Sequence, residues 1–373
     1  MSEPSTPAEL PGPPGESDRV RDTVDGSEPG LAHLAQDSLS GLIDAVETAG
    51  EREERRHKWA LPLRLGASAL MLAVLYTRFP DFEWSEVVPE WSISTIFWLI
   101  GAAVMMAAGI VLSALRWQQV LRAMGMHSTL RFLIPLYFAG QFVSNVLPTT
   151  IGGDVLRVSR LSKSNGDSAG SFASVVLERL TGWLVLPLIT FFGLLINPPL
   201  RTLGQATLLA LFVGIATLVA LIAVLSIAYH PKLGGRFTET EGWRRFVGAV
   251  HLGVSKLRIH PWETFGVVLA GLVYQLTLCF SALMVAAGLG FGWLGITALL
   301  AFYPAVLIVQ VLPIGIAGLG VREGAFVLFL TPLGVPAEQA VALGLVIYAL
   351  NLVVSLAGAP AFAVGGLKRL AGA

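Results

Sequence analysis

The sequence has 373 residues, of which 54% are hydrophobic and 13% charged, against about 25% charged in an ordinary soluble domain. This argues against one water-soluble core. The formal net charge of zero hides a division: residues 1–50 carry ten acids and two arginines, which leaves fifteen acids and twenty-three bases on residues 51–373. The neutral whole has no general attraction for nucleic acid, and none is expected as a partner. The one cysteine, Cys279, excludes an intrachain disulfide and any multi-cysteine metal or iron–sulfur site.

Residues 1–30 are rich in Pro, Gly, Ser, Asp and Glu and hold no apolar run. They cannot bury enough surface to offset the entropy of ordering and are expected to be disordered. They also lack the basic start and early apolar stretch of a secretory signal. From Leu31 the helical spacing of Leu31, Leu34, Leu39, Leu42, Ile43 and Val46 predicts a short helix over 31–49. Two readings are open: a helix resting on its own protein, or one that binds a partner protein. Its acidity argues against anionic lipid. Residues 1–50 thus form an acidic tail, followed by a transmembrane domain over 58–368.

Apolar runs near 59–77, 93–115, 172–196, 205–229, 264–288 and 337–364 are each long enough to cross a bilayer core of about 30 Å. The fold class expected is an all-α polytopic integral membrane protein with six to eight transmembrane helices. Two further stretches, 131–148 and 295–334, are interrupted by Pro and Gly. Basic residues gather before 59 and in 116–131, 149–171 and 230–262, with Lys368 and Arg369 at the end. The intervening 79–92, 197–204 and 289–294 contain a single base, Arg201. Lys and Arg in short loops favour the cytoplasmic side, which places the N-terminus inside and predicts a multi-pass membrane protein. The count closes only if 131–148 enters and leaves on the inside and 295–334 starts and finishes outside. Both are therefore expected to be re-entrant.

The two breaks resemble each other. The first reads Asn145-Val146-Leu147-Pro148, then Gly152-Gly153-Asp154 and Arg157; the second reads Gln310-Val311-Leu312-Pro313, then Gly315, Gly318, Gly320 and Arg322. In each an arginine follows the proline by nine positions. With opposite orientations, this predicts an inverted repeat of the kind transporters build around a midplane site. Pro148 and Pro313 end helices, while Gly152, Gly153, Gly318 and Gly320 allow backbone shapes and close approaches that other residues resist. Helix N-termini facing a watery cavity favour an anionic group, and Arg157, Arg160 and Arg322 add positive charge there. The expected substrate is a membrane lipid with a phosphate-bearing head group.

Glu178 and Arg179 sit inside the 172–196 run, where an isolated charge costs at least ~2.5 kcal/mol. Pairing of Glu178 with a nearby arginine is expected, in either a functional or a structural role. Asn145 and Gln310, with Gln141, Gln275, Tyr348 and Asn351, are uncharged candidates for lining the same cavity or for bonding helix to helix. The expected binding set is Asn145, Asp154, Arg157, Arg160, Glu178, Arg179, Gln310, Arg322 and Glu323. All six histidines lie outside the confident spans at no metal-ligand spacing, so neither metal nor cofactor is expected. No GxxxxGK[ST], HExxH or GxSxG motif occurs, and no enzyme activity is expected. One enzymatic alternative is a glycosyltransferase using the acidic 79–92 loop with Asp81, Glu83 and Glu86.

Several of these residues carry a resemblance: Arg116-Trp117, Asn145-Val146-Leu147-Pro148 with Gly152-Gly153-Asp154 and Arg157, Glu178-Arg179 followed by Gly182, and Pro313 through Gly318 and Gly320 to Arg322-Glu323-Gly324. Together they resemble the lysylphosphatidylglycerol synthase transmembrane family over about residues 58–368. That family includes the flippase half of the bacterial multiple peptide resistance factor. The resemblance implies movement of an amphiphilic lipid between leaflets, in the best-studied members an aminoacylated phosphatidylglycerol. The sequence stops a few residues after its last apolar run, so a stand-alone member without an aminoacyl-transferring domain is expected, and the lipid identity does not carry over. The rival expectation is a non-transporting scaffold that recruits a lipid-modifying enzyme through 31–49. Arg157 and Arg322 are expected either to grip the head group or to neutralise buried acids, Asp154 or Glu178 for the first and Glu323 for the second.

Overall fold

The computed structural model describes residues 91–146, 152–230, 243–259, 261–312 and 318–363, with the single helical residues Gly66, Leu70 and Ala73. All of them belong to the compact unit Leu61–Ala373. The acidic tail with its 31–49 helix, nearly all of the 59–77 run, loop 79–90, Pro148 and Pro313 lie outside the described residues.

Ten α-helices and no strand occur among the described residues. They are α1 Ile93–Ala123, α2 Leu130–Val146, α3 Gly152–Asn165, α4 Ser168–Ile196, α5 Gln205–Tyr229, α6 Trp243–Ile259, α7 Pro261–Gly288, α8 Gly295–Val309, α9 Val321–Leu330 and α10 Ala337–Ser355. Short 3₁₀ turns flank several of them, and the last carries the helical path of α10 on to residue 363. Six segments are long and apolar enough to cross a membrane: α1, α4, α5, α7 from Trp262, Gly292–Val309 and Ala337–Ala363. The protein is an all-α, multi-pass membrane protein.

Local signals set the helix ends. Ser92 Oγ accepts the Thr95 N–H at 3.0 Å ahead of α1, and Asp167 Oδ1 accepts the Gly170 N–H at 2.8 Å ahead of α4. Both satisfy donors that a helix start leaves open. At the other end of α4, Arg201 Nε and Nη2 donate to the Leu194 and Leu195 carbonyls at 2.6 and 2.7 Å. A cation there complements the negative end of the helix dipole.

Helix α1 packs most extensively on α7, and α4 next most extensively on α8. At Gly193 of α4 an added Cβ would fall 2.5 Å from the Ala301 backbone N, so α4 and α8 approach backbone to backbone. The main apolar core joins α1, α4, α7, α8, α9 and α10 and takes in Ala206 and Ala210 from one face of α5. Within it Phe302 stacks on Phe329 with centroids 5.4 Å apart and Tyr303 on Phe326 at 5.6 Å, which pins α8 to α9 across the second break. On α5, by contrast, Leu208, Phe212, Ile215, Val219 and Ile222 are exposed. An apolar face of that extent needs lipid as its solvent.

The helices revise two expectations. The run ending at 115 continues as helix to Ala123, so Arg116 is not a loop residue. Residues 152–165 of the basic "loop" form α3, and its Arg157 is buried. Burial removes Arg116 and Arg157 from the loop charge, because a buried arginine answers to its counter-ion and not to the membrane surface. Arg122, Arg131, Arg160 and Lys163 keep those two connections basic.

Candidate functional site

Four helices converge on a buried charge network. Glu178 of α4 is fully buried and is shared by two arginines. Its Oε1 accepts from Arg116 Nη2 of α1, and its Oε2 accepts from Arg157 Nη2 of α3 at 3.0 Å. Tyr137 of α2 donates its hydroxyl to Glu178 Oε1 at 3.2 Å. The other amino group of Arg157, Nη1, reaches Asp154 Oδ1 at 3.3 Å, one turn back on α3. Asp154 is in turn gripped by Arg179, whose Nε and Nη2 donate to its two oxygens at 3.0 and 2.9 Å. Three arginines thus face two carboxylates, an excess of one positive charge.

Aromatic rings and glycines seat these charges. The Arg157 guanidinium carbon lies 4.2 Å from the Trp117 ring centre and 4.1 Å from that of Tyr137. Arg116 lies 5.2 Å from the Tyr274 ring. Such contacts favour a desolvated cation by up to about 2 kcal/mol. Trp117 is itself anchored through Nε1 to Ser174 Oγ at 3.1 Å. A Cβ at Gly182 would stand 2.9 Å from Arg116 Nη1, and one at Gly140 3.1 Å from the Arg157 stem. Glycine at both places makes room for a guanidinium between helices.

The network is closed on one side and open on the other. The Arg116, Arg157 and Glu178 side chains are at most 4% exposed, whereas those of Asp154 and Arg179 are 21% and 49% exposed. Arg179 is the twelfth residue of α4, roughly 16 Å along the helix from its start. The open charges border a cavity of about 700 Å³ between α3, α4 and α6.

Around the second break the charges pair locally. Arg322 Nε and Nη2 donate to Glu323 Oε1 at 3.1 and 2.7 Å, and Glu323 Oε2 accepts the Gly320 N–H at 2.6 Å. Arg322 also lies 5.1 Å from the Tyr348 ring of α10. Gly344 of α10 leaves room for the carboxylate, since a Cβ there would meet Glu323 Oε1 at 3.0 Å. Both charged side chains are buried.

The expected residues therefore divide. Asp154, Arg157, Glu178 and Arg179 come together; Arg322 and Glu323 form a pair of their own. Asn145 and Gln141 join α2 to α10, donating to the Asn351 carbonyl and side chain at 3.4 and 3.3 Å. Arg160 donates to the Ala361 and Phe362 carbonyls at 2.7 and 2.8 Å, closing the end of α10 onto α3. Gln310 caps α8, and Gly318, at φ +76°, sits against its backbone. Gly153 plays the matching part at the first break, where an added Cβ would collide with the Gly140 carbonyl of α2. Gly152 opens α3, and Gly320, at φ +84°, precedes α9. Sequence reasoning missed Arg116, Tyr137, Trp117 and Tyr274 as members of the first network. An acid inside an apolar helix needs counter-charge from neighbours, and Arg116-Trp117 near the C-terminal end of α1 was the available signal.

A family profile described as the lysylphosphatidylglycerol synthase TM region matches residues 61–358. The chain belongs to this family. The matched stretch contains both charge clusters. A UPF0104 membrane protein of Methanothermobacter thermautotrophicus is similar, at 23% identity over 307 residues that cover 75% of this chain and 87% of that protein. No solved structure matches the chain.

Proposed function

We propose that this member of the family moves a phosphate-bearing lipid, an anionic phospholipid or a polyprenyl-linked one, between the leaflets of a bacterial plasma membrane, as a flippase or scramblase rather than an enzyme. One observation carries the reading: Arg179, eleven residues past the start of a helix long and apolar enough to cross the membrane, is half exposed and pairs there with the partly exposed Asp154 of α3. Charges at such depth normally face a watery cavity or the bundle interior and mark substrate pathways. A polar head group meets the same obstacle, because stripping its water in hydrocarbon is costly. A fixed ion pair on the wall of a wet passage lowers that cost for both.

In this account Arg179 and Asp154 meet the head group. Glu178, Arg157 and Arg116 hold them in place and bias the passage toward anions by their one excess positive charge. Arg322 and Glu323 hold the second break. Both broken segments re-enter the membrane from opposite sides, and the N-terminus is cytoplasmic. With no nucleotide motif in the sequence, the lipid gradient, the membrane potential or an ion supplies the drive. In cells, cysteine at Lys163 should label only from the cytoplasm and cysteine at Trp293 only from outside, after replacement of Cys279. Labelling of position 163 from outside would remove the re-entrant arrangement.

The transport reading is tested with the full chain in vesicles carrying a fluorescent phosphatidylglycerol. The protein should make the inner-leaflet label accessible to a membrane-impermeant reductant. Accessibility no greater than in protein-free vesicles would refute it.

A further inference from the structure

The cavity beside Arg179 is bordered by one face of each of two helices. On α3 the lining residues are Asp154, Val155, Val158, Ser159, Ser162 and Lys163, which recur at one-turn intervals; on α4 Ser168, Phe172, Val175, Val176 and Arg179 do the same. Phe246 of α6 closes the third side. The lining is chemically graded along its length. Lys163 and Ser168 stand where α3 ends and α4 begins, Ser162 and Ser159 follow inward, and Arg179 with Asp154 stands at the far end. Phe172, Val175, Val176 and Phe246 supply the apolar wall opposite this polar edge.

Its charges decide what the groove takes. Asp154 is already matched by Arg179 through two hydrogen bonds, whereas Lys163 in the last turn of α3 is exposed and, having no ion-pair partner among the described residues, brings a positive charge to the lining. The remaining polar groups of the edge are serine hydroxyls, which donate readily to an anionic oxygen. A free inorganic anion would have no use for the mostly apolar wall, and a neutral hydrocarbon would have none for the lysine and serines. At about 700 Å³ the space is of the size that holds an organic ligand.

We infer that the groove between α3, α4 and α6 is a binding site for a single anionic phospholipid, with the phosphate at Lys163 and the neighbouring serines and an acyl chain along Phe172, Val175, Val176 and Phe246. The Arg179–Asp154 pair is the next polar station inward, roughly 16 Å from the mouth. This deepens the lipid-moving reading and rests on it for its purpose, but not for its test.

The test uses the full chain in detergent with Cys279 replaced by alanine and a reporter V155C, at a lining residue that is 61% exposed. Short-chain phosphatidylglycerol should slow maleimide labelling of the reporter. Diacylglycerol of the same chain length and inorganic phosphate, at equal concentration, should leave the rate unchanged. K163A should weaken protection about tenfold, as expected for losing one charge-assisted contact, and K163R should restore it. Lys163 is exposed, so its variants should melt with the parent; this separates lost binding from lost folding. Absence of protection by phosphatidylglycerol overturns the site, and so does equal protection by diacylglycerol or by phosphate, or an undiminished effect in K163A. Protection without leaflet exchange in vesicles would refute the transport reading and leave the site standing; exchange without protection would do the reverse.

Discussion

Beside the first break Glu178 is shared by Arg116 from α1 and Arg157 from α3, while beside the second Arg322 and Glu323 are chain neighbours that pair with each other. The first arrangement spans four helices and ends in a partly exposed ion pair; the second is buried and complete within the first turn of α9 and the α10 residues against it. The repeat is also offset. Measured from the helix start, Asp154 and Glu323 both occupy the third position, whereas Arg157 is sixth and Arg322 second. Equal spacing from the prolines therefore does not give the arginines equal surroundings. What the two breaks share is an acid in the first turn after the gap, where the helix dipole favours it, and a glycine that lets the second arm touch the first.

The largest effect should come from E178Q. It leaves Arg116 and Arg157 buried with only Asp154 to serve them and Arg179, and removing a common counter-ion of this kind costs about 3–5 kcal/mol. Thermal unfolding in detergent should show a strongly lowered midpoint, with most of the loss recovered in R116Q/E178Q, which restores the original charge excess. Failure of the double variant to recover would mean that Glu178 acts through packing alone.

Next in size is R322A, which strands the fully buried Glu323 with the Gly320 N–H as its remaining donor among the described hydrogen bonds. The expected loss is about 3 kcal/mol, reduced in R322A/E323Q. R157A should cost less than R322A, about 1–2 kcal/mol from lost ring contacts. Its removal leaves two balanced pairs, Arg116 with Glu178 and Arg179 with Asp154. If R157A proved the more damaging of the two in thermal unfolding, the charge count that separates the breaks would be wrong.

G153A and G318A should have effects similar to each other and comparable to R157A, on the order of 1–3 kcal/mol each from overpacking. G153A pushes into the Gly140 carbonyl, and G318A adds a side chain at φ +76° against Gln310. A harmless G153A would show that α2 and α3 need no close approach.

Much of this was legible in the sequence because membrane helices advertise themselves through apolar length. Five of the six expected spans appear at nearly their expected places, and nearly all of the sixth, 59–77, lies outside the described residues. The site was legible where physics is local: Glu178 stands out as an acid in an apolar helix, and the glycines near each break are written next to their prolines. It was not legible where the contact is distant in sequence. Arg116 lies 62 residues from its partner Glu178 and sits beside a basic connection, so composition assigned it to the membrane surface. The difference between the breaks was hidden for the same reason, since spacing records position along the chain and not the helix register that turns a side chain inward.

The central claim is that Arg179 and Asp154 form the accessible face of the network and meet the travelling head group. It is tested most directly by measuring leaflet exchange of fluorescent phosphatidylglycerol in vesicles containing R179Q, beside the parent and R157K as a variant that keeps the buried charge. The account predicts that R179Q, whose side chain is half exposed in the parent, unfolds at nearly the parental temperature yet loses most of its exchange, while R157K keeps both. Undiminished exchange in well-folded R179Q would contradict it.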